Sequence, residues 1–303
     1  LKLWLASNLV DCLLELGGIM MSGIEIPTLV HFQDPFPYRP EAWDHQTVSL
    51  IRGRLILAFK RYKFSQSLNR AKAIGWTSNY LKEVVCRKHN ISPHVGDIYY
   101  NGIPEAWAHR ELASNPEWSS RPLEILTVSN VDRYKGQHIV INSLPTIVKN
   151  VQLQNVVYRI IGKCTDNYRE ELMTMAEKLG VARHVRIEGR VASNRLHEAL
   201  CSARCFVLMS LCESFGIPVI EAMSYGVPVI VSNCCALPEV AGESSLLCAE
   251  NDSRQLAVQV VSILTDGNLS ARLAQSGIKN VTRFLWKDTA ERMANTLERI
   301  SCS

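Results

Sequence analysis

Glu213-Ser214-Phe215-Gly216-Ile217-Pro218-Val219-Ile220-Glu221-Ala222-Met223 decides how the rest of the chain is read. Two carboxylates stand eight positions apart across a Gly-Pro turn. An apolar run, 205–209, precedes the turn and a second, 227–231, follows it. The order is strand, turn, short helix, strand. Pro218 suits the first helical position, where its missing N–H costs nothing. Gly226 and Pro228 mark the end of that helix. The backbone N–H groups around Phe215, Gly216 and Ile217, next to Ser214, then point out of a helix N-terminus. Such a terminus carries partial positive charge and binds phosphates. The unit offers an anion site flanked by two carboxylates, and a diphosphate between a sugar and a nucleoside has that shape.

Outward from this unit, strand and helix patterns alternate. Strands are expected at 123–129, 156–161, 184–188 and 205–209, and helices at 136–149, 168–179 and 194–202. Segments 237–241 and 245–248 follow, then helices from 254 onward. Alternation of this kind implies a parallel sheet covered on both faces. Such sheets bind ligands beyond the carboxyl ends of their strands. Here those ends are Ser129, Gly162, Gly189 and Ser210, all in loops rich in small or polar residues. The first third predicts two buried strands, 11–16 and 28–32, and a Pro-rich loop, 34–40. A helix, a strand at 73–77, a helix at 78–88 capped by Ser78 and a strand at 95–100 complete it. Residues 101–122 are loop-like. The expected division is a first domain of 1–118 and a second of 119–303 that keeps the terminal helices.

The apolar fraction of 47% and charged fraction of 20% suit a globular protein, and no run reaches the length of a membrane span. Asp11 and Glu15 interrupt the apolar start, and no secretory signal pattern is evident. The ten cysteines include no C-x2-C pair, so reduced thiols in a cytoplasmic protein are expected rather than a metal or disulfide framework.

The net charge of +4 is distributed unevenly. No acidic residue occurs from 45 to 82, where Arg52, Arg54, Lys60, Arg61, Lys63, Arg70, Lys72 and Lys82 fall. Ile51, Leu55, Phe59 and Tyr62 recur there at helical spacing. The segment reads either as a solvated helix face or as a surface for peripheral contact with an anionic membrane. No nucleic-acid-binding motif accompanies the charge.

Glu213 to Glu221 resembles the Glu-x7-Glu motif of retaining glycosyltransferases. The flanks Ser210-Leu211-Cys212 and Ala222-Met223-Ser224-Tyr225-Gly226-Val227-Pro228-Val229 are similar to family 4 of the GT-B fold. Leu237-Pro238-Glu239-Val240-Ala241-Gly242 resembles that family's next segment, and Val128-Ser129-Asn130 with Lys135-Gly136 its first donor-domain loop. The resemblance covers the second domain throughout and the first in part. It implies two Rossmann-like doubly wound α/β domains and transfer of a hexose, with retained configuration, from a nucleotide diphosphate sugar to an acceptor hydroxyl. The acceptor would be a glycan, a lipid-linked saccharide or another glycoconjugate. No cofactor and no metal are expected.

The resemblance also assigns roles. Lys135 reaches the diphosphate, against the plain reading of a loop lysine. The family's frequent arginine falls at Asn130, and Arg133 is the candidate for the second charge. Glu221 accepts from the ribose hydroxyls. Glu213 lies beside the transferred sugar, against the plain reading of an acid at a helix start. His31 faces the donor sugar as a second catalytic candidate, or is structural. Arg190 and Val191 line the nucleobase. Gly17-Gly18 does not follow a first strand by position, so the first domain is expected to lack its start. A sugar-nucleotide epimerase and a phosphorylase of the same architecture are alternatives, and the missing start favours a third, a non-catalytic nucleotide-sugar-binding module.

Overall fold

The computed structural model describes residues 10–42, 50–92, 94–108 and 118–302. The chain divides into two compact units, Leu1–Gly102 with Trp286–Ser303, and Ile103–Leu285.

Among the described residues, the first unit holds a four-stranded parallel sheet in the order β1 (Leu13–Leu16), β2 (Thr28–Phe32), β3 (Ala73–Trp76), β4 (Asp97–Ile98). β2 is buried throughout because β1 and β3 flank it. Its core joins Val30, Phe32, Phe64, Trp76, Leu81 and Val85. Phe32 stacks on Trp76 with ring centroids 4.9 Å apart. Helices α1 (Leu50–Arg70) and α2 (Asn79–His89) belong to this unit. Ser78 caps α2 as expected, accepting from the Leu81 N–H at 3.2 Å.

Two expectations are corrected here. Among the described residues the strand expected at 11–16 lies at the sheet edge rather than buried, with Leu14 and Leu16 39% and 59% exposed. The strand expected at 95–100 shortens to Asp97–Ile98, since only Gly75 and Trp76 pair with it.

The second unit holds a six-stranded parallel sheet in the order β10-β9-β8-β5-β6-β7. Its strands are β5 (Glu124–Val128), β6 (Val157–Ile161), β7 (Val185–Gly189), β8 (Cys205–Leu208), β9 (Val229–Ser232) and β10 (Ser245–Cys248). The described helices of this unit are α3 (Glu105–Ala108), before β5, then α4 (Gln137–Ile147), α5 (Asp166–Lys178), α6 (Ser193–Ser202), α7 (Ile217–Ser224) and α8 (Leu237–Ala241) between the strands, and α9 (Ser253–Thr265) and α10 (Gly267–Val281) after β10. Ile125, Tyr158, Ile160, Cys205, Val207 and Ile230 turn one sheet face toward α4, α5 and α9 in one apolar core. α6, α7 and α8 pack on the strands as well. Burial on both faces explains why β8 and β9 read as unbroken apolar runs.

The boundary therefore differs from the expected 118/119. Ile103 bridges to Leu285, and its N–H donates to the Phe284 carbonyl at 2.9 Å, which ties 103–108 to the second unit. Residues 109–117 lie outside the described residues. The last helix, α11 (Trp286–Ser301), returns to the first unit. The reason is packing: Ile300 joins Leu29 and Tyr99, and Thr296 Oγ1 meets the Tyr99 hydroxyl at 2.7 Å. Thr289 Oγ1 donates to the Tyr100 carbonyl at 2.7 Å.

Candidate donor site

Strand order fixes where a ligand belongs. β5 lies between β8 and β6, so the connections leaving β5 and β8 run to opposite sides of the sheet. A doubly wound sheet has its crevice at such a switch point, beyond the carboxyl ends. The loop after β5 carries Ser129 to Gly136, and the loop after β8 carries Met209 to Gly216.

These loops are bonded to each other. The Leu211 N–H donates to the Tyr134 carbonyl at 2.7 Å, and Ser210 Oγ donates to the same oxygen at 3.3 Å. Gly136 sits at φ +74° with its Cα face against Met209, where a Cβ would come within 2.1 Å of the Met209 carbonyl oxygen. Only glycine satisfies both the left-handed backbone and that approach. Gly162 holds the other flank in the same way, its missing Cβ leaving room for the Ser129 carbonyl. Gln137, fully buried, donates from Nε2 to Ser129 Oγ and to the Asn130 carbonyl, each at 3.0 Å.

Lys135 and Glu213 meet between these two loops. The Lys135 ammonium donates to Glu213 Oε1, and the two side chains are 13% and 12% exposed. Burial works to lower the Lys135 pKa, but the Glu213 carboxylate and Tyr134 outweigh it, and the net shift is upward. Lys135 is thus held as a cation, 4.9 Å from the centre of the Tyr134 ring.

α7 opens on the same side. Gly216 takes φ +100° before the first helical residue, Ile217, and Pro218 is second in the helix rather than first. A Cβ on Gly216 would lie 2.7 Å from Leu237. Phe215 is buried edge-on against Phe284, with centroids 5.3 Å apart, which anchors the turn. Glu221 lies one turn into α7. Burial pushes its pKa up, and among the described residues no hydrogen bond or ion pair to its carboxylate is present.

The remaining expected residues are placed unevenly. Asn130 is exposed at the loop tip. Arg133 pairs with Glu171 on α5 and lies over the Tyr168 ring at 5.2 Å. Arg190 is exposed and Val191 half-buried just after β7. His31, in the first unit, is 2% exposed at the end of β2. Its Nε2 lies 3.2 Å from Thr77 Oγ1, Tyr99 packs edge-on against it, and Nδ1 faces Gly75. Burial lowers its pKa to about 4, opposed by the Gly75 backbone, so the imidazole is neutral at pH 7. Gln137 and Tyr134 were not singled out from sequence, and Gly162 only as a strand end, the one available signal.

Among the described residues, no group of three or more His, Cys, Asp or Glu is arranged to hold a metal ion. No helix there is long and apolar enough to cross a membrane.

Residues 110–280 match the family described as glycosyl transferases group 1, which is more than half of the chain. The chain belongs to the glycosyl transferases group 1. Within this group it is 29% identical over 208 residues to the phosphatidyl-myo-inositol mannosyltransferase of Mycobacterium leprae (strain TN), covering 66% of this chain and 54% of that one. It is 31% identical over 230 residues to the glycogen synthase of Mycobacterium tuberculosis, covering 73% of this chain and 55% of that one. The chain thus spans about half the length of these relatives. An O-antigen chain mannosyltransferase B of Escherichia coli is 33% identical over 111 residues, 37% of this chain and 29% of its own.

Two solved structures share the fold. Anabaena HepE in complex with UDP and glucose has a TM-score of 0.69 at 19% identity, over 90% of this chain and 72% of that one. Sucrose-phosphate synthase from Thermosynechococcus elongatus has a TM-score of 0.72 at 21% identity, over 92% and 69%. With two parallel α/β units, the architecture is that of the GT-B group, as the motif implied.

Proposed function

We propose that this chain binds a nucleoside diphosphate sugar at the β5/β8 crevice and transfers the sugar, with retained configuration, to an acceptor hydroxyl. One observation carries the reading. Lys135, Glu213 and the start of α7 converge at the switch point, with Glu221 one turn farther along the helix. UDP in the HepE complex supports the donor class.

Each group then has a task. The bond between the anomeric carbon and the diphosphate oxygen breaks, so negative charge grows on the leaving phosphate. Lys135 and the backbone N–H groups at 215–217 stabilise that charge. Preorganised stabilisation of this kind is usually the largest catalytic contribution. Once phosphate competes for Lys135, the Glu213 carboxylate is released toward the sugar, where positive charge builds. Glu221 takes the ribose hydroxyls, which supply the donors its carboxylate lacks. Asn130, Ser214, Arg190 and Val191 border the bound donor. The pairing of Arg133 with Glu171 favours a supporting role on α5, and the burial of His31 favours positioning over direct contact. Phosphate charge is met by protein groups, in keeping with metal-independent transfer.

The acceptor class we favour is a glycan or lipid-linked saccharide presented at the cytoplasmic face of a membrane. α1 supports it. Leu55, Phe59 and Tyr62 form a stripe 65%, 60% and 57% exposed, flanked by Arg52, Arg54, Arg61 and Lys63. Residues 43–49 and the side chain of Ile51, part of the same expectation, lie outside the described residues.

The test is calorimetric titration of the chain with UDP, GDP and ADP and their hexose conjugates, followed by assay of transfer. Binding of one nucleotide diphosphate, weakened in Lys135→Ala with circular dichroism unchanged, is expected. No binding by any of them would overturn the reading.

A further inference from the structure

β5, whose loop carries Lys135, is held unevenly by its two neighbours. Against β6 it is paired along its whole length, from Glu124↔Val157 to Val128↔Ile161. The Ser129 N–H adds a bond to the Ile161 carbonyl at 3.0 Å. Against β8 the pairing stops at Leu126↔Phe206, although the strands run on to Val128 and Leu208. The next position in that register sets Thr127 against Val207, and there a side chain makes the link. Thr127 Oγ1 donates to the Val207 carbonyl at 2.6 Å. The same oxygen accepts from the Tyr158 hydroxyl of β6 at 3.0 Å. Thr127 is 1% exposed and Tyr158 0%.

One row of hydroxyls therefore joins β6, β5 and β8 beneath the crevice. Valine suits a buried strand as well as threonine does and needs no partner. The donor reading uses neither hydroxyl.

We propose that Thr127 is a positioning residue for the donor site: its hydroxyl, oriented by Tyr158, sets the spacing of β5 and β8 where their pairing ends, and with it the meeting of Lys135 and Glu213. The consequence for donor binding rests on the reading above; the spacing does not.

Orientation follows from the donor inventory. A threonine hydroxyl has one proton to give. With Tyr158 donating to it, that proton is left for Val207. Burial pushes the Tyr158 pKa well above its usual range, so its hydroxyl remains a donor at neutral pH.

Transmission follows from close packing. Above the strand ends the two loops lean on each other at Leu211 and Tyr134, whose N–H and carbonyl lie 2.7 Å apart. They also meet where Gly136 faces the Met209 carbonyl with no room for a Cβ. A change in strand spacing has no slack to absorb it there and is passed to the Lys135–Glu213 pair.

The experiment compares the parent chain with Thr127→Val, which keeps the shape and loses the hydroxyl, and Thr127→Ser, which keeps the hydroxyl. Three quantities are read: the urea midpoint, UDP and GDP affinity by titration, and the pH titration of Lys135. The last uses NMR of the chain with isotope-labelled lysine, the Lys135 signal being the one missing in Lys135→Arg. In the parent, Lys135 should keep its proton to higher pH than an ordinary lysine, because Glu213 and Tyr134 outweigh burial. Thr127→Val should lower that titration point and weaken nucleotide binding about tenfold. Thr127→Ser should restore both.

A lower urea midpoint in Thr127→Val with Lys135 titration and nucleotide affinity as in the parent is what a purely structural hydroxyl gives, and it overturns the proposal. Thr127→Ser behaving like Thr127→Val assigns the effect to the lost methyl group and overturns it as well. Should Thr127→Val fail to fold, Tyr158→Phe removes only the donor to Thr127 and must move both readouts the same way; parent values there overturn the proposal. A shifted Lys135 titration with unchanged affinity overturns the consequence for the donor. If neither nucleotide binds the parent, the donor reading fails, while the Lys135 titration still decides the role of Thr127.

Discussion

Lys135 and Glu213, 78 residues apart in sequence, form one ion pair between the loops that leave β5 and β8. The pair makes each group the other's competitor for a ligand. Lys135→Ala should weaken nucleotide diphosphate binding by roughly 1.5–3 kcal/mol, the scale of a hydrogen bond to a charged group. Titration checks it, with circular dichroism to confirm the fold.

Glu213→Gln should act in the opposite direction on binding. It releases Lys135 to the phosphates, so UDP or GDP binding should hold or tighten by up to about 1 kcal/mol, the value of a partly exposed pair. Transfer should be lost. A loss of nucleotide affinity in this variant would show that Glu213 binds the donor rather than restraining Lys135.

Glu221→Ala should cost nucleotide affinity and leave the Lys135–Glu213 pair in place. Burial raises the Glu221 pKa, so its charged form is lost earlier than usual as the solution is acidified. Affinity in the parent chain should therefore fall as pH drops through that raised range, and Glu221→Gln should remove this pH dependence. Titration across pH distinguishes the two.

His31 gives a stability prediction. Its pKa is about 4 in the folded chain and near 6.5 when unfolded, so the unfolded state binds the proton more readily. The contribution is complete above pH 6.5 and is lost as pH falls toward 4. Between pH 6.5 and 5 the loss should be on the order of 2 kcal/mol. Urea unfolding at both pH values should show it in the parent chain and not in His31→Gln.

Anionic vesicles test α1. Binding should weaken with added salt, as screening shortens the reach of the charges. Arg54, Arg61 and Lys63 reversed to Glu should abolish it. Lys60 is a poorer choice, because it already pairs with Asp34 at 2.7 Å. Absence of binding at low salt would return the stripe to an ordinary solvated face.

The second unit was legible from local signals. Apolar runs, glycines at strand ends and the Gly216–Pro218 turn locate its elements to within a few residues. What could not be read depends on partners distant in sequence. Leu13 to Leu16 is apolar enough to be buried, but whether a strand is central or at an edge depends on what pairs beside it. Arg133 sits near Lys135 in sequence, and its attachment to Glu171 arises only once α5 folds back. The unit boundary was misread for the same reason. Ile300 and Thr296 look like any amphipathic helix until Leu29 and Tyr99 are brought to them.

That returning helix has a consequence in time. Tyr99 and Thr296 are 197 residues apart, so the second unit is, in chain terms, an insertion within the first. During synthesis the ribosome delivers all of Ile103–Leu285 before it delivers the helix that covers Leu29 and Tyr99. The later-made unit can close on itself while the earlier-made one still waits for its last sixteen-residue helix. A chain stopped just short of Trp286 would then leave Leu29 and Tyr99 without that cover, although the six-stranded sheet had all its strands.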